Sequence, residues 1–389
     1  MITKIRNGLV LTDNREIKTN VYIQDKEILS ITNEELPFDK EIDAHGLYVA
    51  PGFIDIHIHG AAGYDFLDGT KEAYEKISEE VAKHGATAIV PTLTSSTKES
   101  MKTAISTFDE VKKNGTNGAK LLGIHLEGPY FAASQKGAQD ENQIRDFDRA
   151  EYEEIASMSD SLLRWTAAPE RTGAQEFGQY MTAKHVLPCI GHSDADSKTA
   201  QKAFENGFSH ITHLYSCTSS VHRKNAFRYA GIVETAYLND DISVEIIADG
   251  IHLPDDLLKL VYKIKGADKI ALITDSMRGA GMPDGESILG GMSDGLKVII
   301  EDGVAKLPDR SAFAGSVAFC DRLVKNMVKL AGVSLCDAVK MASETPANIL
   351  GLDHIGKLSP GFAADIVLFD AEINIHKTIV DGEEVFSRE

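Results

Sequence analysis

Apolar and polar positions alternate with two different periods along this chain of 389 residues. In the middle of the chain, short apolar runs rich in β-branched residues, such as residues 87–93, precede longer segments such as residues 98–113. In these longer segments apolar residues recur every three or four positions. The short runs are typical of buried strands and the longer segments of amphipathic helices. The middle of the chain therefore predicts alternating strands and helices.

This alternation is typical of a parallel sheet with helices packed on its outside. The predicted strands are residues 50–59, 87–93, 121–127, 162–168, 186–192, 209–213, 242–249 and 269–275. Eight strand–helix units predict an α/β fold, a closed (β/α)8 TIM-like barrel. Residues 281–313 interrupt the pattern with three Gly-rich turns and one strand-like run, which we interpret as a hairpin.

Both ends of the chain show a different pattern, with short strands and no helical periodicity. Residues 9–11, 20–23 and 27–31 predict strands near the amino terminus, and residues 364–369 and 373–380 predict strands near the carboxyl terminus. Chain termini often lie close together, so one small domain can form from both ends. We predict a β-sandwich domain from residues 1–48 plus 353–389, and a metal-dependent barrel domain from residues 49–352.

Composition and charge narrow the class of protein. The formal net charge of −19 argues against nucleic acid or an anionic membrane as the main partner. The four cysteines show no C-x-x-C spacing, which is typical of reduced thiols. The first residues lack the apolar core of a signal peptide, and no apolar run approaches transmembrane length. We therefore expect a cytoplasmic protein.

Most predicted barrel strands end in a residue that can bind a metal ion. These residues are His57, His59, Glu127, His192, His213, Asp249, His252 and Asp275. Alternate residues of a strand share a face, so His57 and His59 point the same way. The carboxyl ends of all barrel strands meet at one rim, so the polar side chains converge there. Imidazole and carboxylate groups suit zinc, iron, manganese or cobalt, so we predict a divalent metal site.

Several motifs resemble a known family along almost the whole chain. They include Ala50-Pro51-Gly52-Phe53-Ile54-Asp55, His125-Leu126-Glu127-Gly128-Pro129, Gly191-His192-Ser193, Thr212-His213-Leu214, Ala248-Asp249-Gly250-Ile251-His252 and Thr274-Asp275. The sequence resembles the amidohydrolase superfamily, and most closely its N-acetylglucosamine-6-phosphate deacetylases. The resemblance implies removal of acetyl from N-acetyl-D-glucosamine 6-phosphate by metal-activated water, giving D-glucosamine 6-phosphate and acetate.

The resemblance also implies a role for each matching residue. Glu127, His192 and His213 match the metal site common to the family, and His57 and His59 match a second metal site that some members lack. Asp275 matches the catalytic acid/base. Gln139 and His252 match positions that contact substrate. One or two divalent ions per chain are therefore expected, with a small amino-sugar phosphate as substrate.

The sequence departs from the family pattern after His213. Relatives continue with Asn-Ala, whereas this chain has Ser216-Cys217, and their His-Arg-Glu-Pro-Gly segment is longer here. Arg228 fits the family's phosphate-binding arginine best, and its loop also holds three further basic or near-basic residues, His222, Arg223 and Lys224. We expect Ser216, Cys217 and Arg228 to contact substrate, with a homodimer able to bring this loop to a neighbouring site. A solvated basic loop without a ligand is the alternative.

Three functions remain open at this point. The first is the deacetylation just described, and the second is hydrolysis of another N-acyl compound, such as N-acetylgalactosamine 6-phosphate. The third is a non-enzymatic scaffold on the same fold. A scaffold would be expected to lose metal ligands, whereas this chain keeps the full set together with Asp275. The altered loop after His213 leaves the identity of the substrate open between the first two.

Overall fold

A parallel barrel forms the centre of the protein in the computed structural model, which describes residues 1–12 and 14–388. Its strands, in chain order and in spatial order, are Phe53–Ile58, Ala86–Leu93, Ile124–Glu127, Leu162–Ala167, Leu187–Ile190, His210–Ile211, Ser243–Ile246 and Ile270–Leu272. A bridge between Ile58 and Ser276, which lies just beyond the last strand, connects the end of the barrel to its first strand. The predicted (β/α)8 fold is confirmed.

Helices surround this barrel and cover its apolar outer face. They are Lys71–Ala82, Lys98–Asn114, Arg149–Ala156, Ala174–Ala183, Ser197–Phe204, Ile232–Tyr237, Asp255–Lys265, Cys320–Lys329, Leu335–Ala342 and Glu344–Ile349. Their apolar faces and the outer faces of the strands share one large core that includes Trp165, Phe177 and Phe208. The helical periodicity in the sequence thus arises from packing against the barrel.

The two ends of the chain build further sheets with a core of their own. One sheet has the strand order Glu27–Thr32, Asn20–Gln24, Ile2–Arg6 and Lys40–Asp43. The other has the order Glu383–Ser387, Ile375–Val380, Ile366–Phe369, Tyr48–Pro51, Leu9–Thr12 and Arg15–Lys18. Ile366–Phe369 pairs with Tyr48–Pro51, so residues from both termini share one sheet, as expected. The exact domain limits, 1–48 plus 353–389 and 49–352, stay a prediction.

Two antiparallel additions lie at the carboxyl ends of the barrel strands. Gly285–Leu289, Leu296–Glu301, Val304–Lys306 and Phe313–Ser316 form a four-stranded sheet, where the sequence predicted only a hairpin. A bridge between Ser276 and Ser316 connects this sheet to the barrel. The segment predicted as a basic loop is itself a hairpin of His222–Lys224 and Phe227–Tyr229. Short two-stranded pieces were missed because their exposed residues show no alternation.

Strands five and six of the barrel are shorter than predicted. The ladder ends at Ile190 and Ile211, whereas the predicted strands ran to His192 and His213. Both histidines have positive φ values, 48° and 27°, so the backbone leaves the extended conformation as it reaches them. This turn points the imidazoles into the mouth of the barrel. In the described part of the chain, no helix is both long and apolar enough to span a bilayer.

Candidate active site

A cavity of about 260 Å³ opens at the carboxyl ends of the barrel strands. Of the residues predicted to bind metal or substrate, the cavity is lined by His59, Glu127, Gln139, His192, His213, Ser216, Cys217, His252 and Asp275. His57 lies directly beneath this lining and is fully buried. Residues separated by more than 200 positions in sequence therefore meet at one place, as the strand-end argument predicted.

Six side chains form two adjacent sets of candidate metal ligands. One set is His57, His59 and Asp275, and the other is Glu127, His192 and His213. Glu127 lies between them: its Oε1 is 2.9 Å from His213 Nε2, and its Oε2 is 3.3 Å from His59 Nε2. Asp275 Oδ1 is 3.1 Å from His59 Nε2. In every case the Nε2 atom of the imidazole faces the carboxylates.

The Nδ1 atoms of the same four histidines face away from the cavity. His59, His192 and His213 donate Nδ1–H to the backbone carbonyls of Thr92, Gln135 and Ser216, over 3.2, 2.8 and 3.1 Å. His57 Nδ1 lies 3.1 Å from a carboxylate oxygen of Glu245. A partner that holds one ring nitrogen and leaves the other free is typical of metal-binding histidines.

His57 Nε2 supplies an independent indication that a metal fits. This atom is buried and has no hydrogen-bond partner among the described residues. A buried polar atom without a partner is costly, so its position facing Glu127 and Asp275 requires an explanation. Imidazole nitrogens and carboxylate oxygens that converge on one place suit a divalent transition metal. The residues present therefore fit such an ion.

The electrostatics of the cavity favour positive charge. Burial alone would raise the pKa of Glu127, but the surrounding imidazoles, His192 first, hold that pKa well below its ordinary value. Burial alone would lower the pKa of His59, yet the hydrogen bonds to Asp275 and Glu127 raise it well above its usual range. Two buried carboxylates thus attract protons to the imidazoles around them. A cation can replace this positive charge.

Other predicted substrate contacts are also close to these ligands. Gln139 donates Nε2–H to Glu127 Oε2 over 2.8 Å, and its amide oxygen accepts from Thr94 and Ser95. The amide therefore holds Glu127 in place, a contact that the sequence did not predict. His252 donates Nδ1–H to Asp249 over 2.8 Å, and its ring lies against Phe313 at 4.8 Å.

Arg228 is the one predicted substrate residue that does not line this cavity within the described chain. It lies on the exposed hairpin, and its guanidinium donates to the carbonyl of Ala226 over 3.2 Å. Arg223 is its cross-strand partner on the same hairpin. Aromatic residues Phe227 and Tyr229 of this hairpin are also exposed. In this structure the hairpin does not bring Arg228 to the cavity of its own chain.

Three residues near the site were missed in the sequence. Phe313 comes from the four-stranded sheet and lines the cavity. Glu245 and Arg164 lie inside the barrel, fully buried and paired with each other. A signal for these two existed, because each is a charged residue within a short apolar strand. Such charges are almost never buried without a partner.

Comparison with known proteins agrees with this geometry. The model of the amidohydrolase family matches residues 48–385. N-acetylglucosamine-6-phosphate deacetylase of Vibrio furnissii is 35% identical over 338 residues, which cover 86% of this chain and 82% of the relative. N-acetylgalactosamine-6-phosphate deacetylase of Escherichia coli O157:H7 is 32% identical over 337 residues, covering 86% of this chain and 87% of the relative.

A solved structure supports the same assignment over the full length. The crystal structure of N-acetylglucosamine-6-phosphate deacetylase from Pasteurella multocida superposes with a TM-score of 0.93 at 27% identity, covering 100% of both chains. Barrel, terminal sheets and the sheet of residues 285–316 are thus all within the matched length. The family match and the relatives together show that this chain belongs to the amidohydrolase family.

Proposed function

We propose that this protein is a metal-dependent hydrolase that removes the acetyl group from N-acetyl-D-glucosamine 6-phosphate, giving D-glucosamine 6-phosphate and acetate. The observation that carries the proposal is the pair of ligand sets joined by Glu127 beneath an open cavity. The relatives named above support the amide bond as the target. A scaffold without activity would not need two complete sets of buried ligands.

In this proposal the two sets of ligands hold two divalent ions. His57, His59 and Asp275 face one position, His192 and His213 face the other, and Glu127 lies between both. When bound, such ions make water acidic enough to ionise near neutral pH and polarise the amide carbonyl. Zinc, iron, manganese and cobalt all suit these nitrogen and oxygen donors.

Asp275 is the acid/base in this mechanism. Its carboxylate reaches the cavity beside His59, and its pKa, which burial alone would raise, is lowered by His57 and His59. It therefore starts as a carboxylate and accepts a proton from the attacking water. It then delivers that proton to the amide nitrogen, because an amine leaves readily only when protonated. Gln139 and His252 flank the cavity and orient the substrate.

The phosphate is the second part of the proposal. Arg228, with Arg223 and Lys224, places cationic groups on one exposed hairpin, and charge-assisted bonds from arginine to phosphate are short and bidentate. Because Arg228 does not line the cavity of its own chain, we propose a homodimer in which this hairpin approaches the partner's cavity. Ser216 and Cys217 line the cavity itself and contact the sugar. We place the enzyme in the cytoplasm.

Acetate release from a panel of substrates tests this function. The panel contains the 6-phosphates of N-acetylglucosamine and N-acetylgalactosamine, together with both sugars without phosphate. We expect the highest kcat/KM on N-acetylglucosamine 6-phosphate. The relative from Escherichia coli makes the galactosamine compound the second candidate. Equal efficiency on phosphorylated and unphosphorylated sugars would reject a phosphate-binding site.

A substitution in the hairpin distinguishes binding of the phosphate from hydrolysis of the amide bond. Arg228→Ala should raise KM strongly for the phosphorylated sugar while changing the value for the unphosphorylated sugar little, since only one of them carries the anion. Arg149→Ala is a matched control, because Arg149 is an exposed arginine on an outer helix, paired with Glu153. An unchanged KM in Arg228→Ala would assign the phosphate to other residues.

A further inference from the structure

A buried charge cluster lies inside the barrel, beneath the cavity, and the mechanism above does not use it. Glu245 belongs to strand Ser243–Ile246, and Arg164 belongs to strand Leu162–Ala167. Both side chains are completely buried, and Arg164 Nη1 pairs with Glu245 Oε1. Taking two charges out of water costs several kcal/mol per ion, so a buried pair is weak evidence for stability alone. Its neighbours indicate what else it does.

The second carboxylate oxygen of Glu245 faces the candidate metal ligands. Its Oε2 lies 3.1 Å from His57 Nδ1 and also accepts the backbone N–H of His213 over 3.1 Å. Arg164 Nη1 donates to Oε1 and the His213 N–H donates to Oε2, so both oxygens of Glu245 act as acceptors, as those of an ionised carboxylate do. An ionised carboxylate only accepts hydrogen bonds, so His57 must carry its hydrogen on Nδ1. Its Nε2 lone pair then faces the cavity.

His57 differs in this respect from the other three candidate histidines. Backbone carbonyls of Thr92, Gln135 and Ser216 fix the ring hydrogens of the other three, and no substitution removes a carbonyl. Only His57 depends on a side chain, and that side chain is itself oriented by a cation. The tautomer of His57 can therefore be changed by mutation without substituting any candidate ligand.

We propose that Glu245, oriented by Arg164, is a positioning residue that fixes the tautomer of His57 and thereby allows the His57–His59–Asp275 set to hold its ion. The inference rests on the two-ion site of the proposed function. In the Glu127–His192–His213 set the ring hydrogens of both histidines have carbonyl partners, and Glu245 contacts this set only through the backbone N–H of His213, so its ion should depend on Glu245 less. Binding of the ion at the His57–His59–Asp275 set then depends on the Glu245–Arg164 ion pair in the barrel interior.

An amide at position 245 makes the test specific. In Glu245→Gln the amide has one oxygen and one NH2 group, and the guanidinium of Arg164, which only donates, can pair only with the oxygen. The NH2 group then faces His57 Nδ1 and donates to it. The ring hydrogen moves to Nε2 with no change in the number of protons, and a protonated Nε2 cannot bind a metal.

A second substitution should reverse this effect. In the double variant Arg164→Met, Glu245→Gln, no guanidinium donates to the amide oxygen. The amide can therefore rotate, and its oxygen can again accept a hydrogen bond from Nδ1–H of His57. The double variant also leaves no buried charge without a partner, which is the main cost of removing one member of such a pair. A merely structural role predicts the opposite, because two core changes should disturb the site more than one.

The experiment measures Zn²⁺ binding to the metal-free full-length protein, by competition with a chromophoric chelator and by metal analysis after dialysis. For Glu245→Gln we expect the Kd of one ion to rise about 10–100-fold, the usual effect of losing a partner of a ligating histidine. The Kd of the other ion should change little. The double variant should recover most of the loss.

A control variant comes from the same cluster. His210 Nε2 lies 3.3 Å from Glu245 Oε1, on the side of Arg164, and its Nδ1 pairs with Ser243. His210→Asn disturbs the cluster without changing the partner of His57, so both ions should bind normally. If His210→Asn lost one ion to the same extent as Glu245→Gln, the inference would be overturned, because any change in the cluster would then be enough to weaken binding of that ion.

The remaining outcomes also decide the question. Normal binding of both ions by Glu245→Gln overturns the inference, and so does a double variant that binds no better than the single one. If Glu245→Gln fails to fold because Arg164 is left unpaired, the double variant decides alone: two ions support the inference and one ion overturns it. Acetate release by the unmutated protein is measured separately. Two bound ions without acetate release would refute the proposed hydrolysis but not this inference. One bound ion with acetate release would refute this inference together with the two-ion site, and would leave the proposed hydrolysis standing.

Discussion

Gly137 offers a sharp test of how the loop over the cavity controls the reaction. Its φ is +57°, a conformation that costs an L-residue about 1–2 kcal/mol. A Cβ added there would lie 2.6 Å from Cys217 Sγ. Ordinary contacts between such atoms are about 3.5–4.0 Å, so Gly137→Ala must displace the loop or Cys217 by roughly 1 Å.

This displacement would reach the ligands through two hydrogen bonds. The same loop supplies the Gln135 carbonyl to His192 and the Gln139 amide to Glu127, each over 2.8 Å. A shift of about 1 Å at a reacting centre can reduce the rate about 100-fold. We expect kcat/KM for acetate release to fall about 10–100-fold in Gly137→Ala, within that limit.

A double-mutant cycle separates the clash from the backbone strain. Cys217→Ala removes the sulfur, so the double variant should recover most of the activity lost in Gly137→Ala, while a loss of stability from the positive φ remains. Cys217→Ala alone is measured as the reference because Cys217 lines the cavity. Full activity in Gly137→Ala would refute the reasoning, as would a double variant no better than the single one.

Two further predictions concern the ligand sets. Asp275→Asn should retain metal, because His57, His59 and Glu127 remain and an amide oxygen replaces one carboxylate oxygen. It should keep KM similar but lower kcat about 10²–10⁴-fold, because an amide cannot accept the proton. Near-normal kcat with full metal content would reject Asp275 as the acid/base. His57→Ala should reduce the metal content of protein purified without chelator from nearly two ions per chain to one. His125→Asn is the control, because His125 is a buried histidine outside both sets. A stoichiometry of one ion in the unmutated protein that His57→Ala leaves unchanged would reject the two-ion site.

The sequence predicted which residues form the site better than it predicted the hydrogen bonds between them. His57, Glu127, His192, His213 and Asp275 could be found because each lies at or just after the end of an apolar strand, and the barrel closes all strand ends into one rim. The hydrogen bond from Gln139 to Glu127 depends on how a loop folds back, which no periodicity encodes.

The sequence also could not predict which side chains from non-adjacent elements lie close together. A charge in an apolar strand, such as Glu245, indicates burial with a partner but does not say which of several charged strands supplies it. The direction of a short exposed hairpin is equally unspecified, so the sequence placed Arg228 near the substrate while the structure holds it away from its own cavity. The sheet of residues 285–316 was underestimated because glycines obscure the alternation of its strands.

The pairing of Tyr48–Pro51 with Ile366–Phe369 has a consequence for synthesis on the ribosome. The second strand emerges about 315 residues after the first, which corresponds to roughly 15–60 s at about 5–20 residues per second. During that time Tyr48–Pro51 lacks one neighbour, although Leu9–Thr12 is already available on its other side. The nascent chain must therefore shield an open, apolar strand edge while the whole barrel is being made, and chaperone dependence should concentrate in this interval.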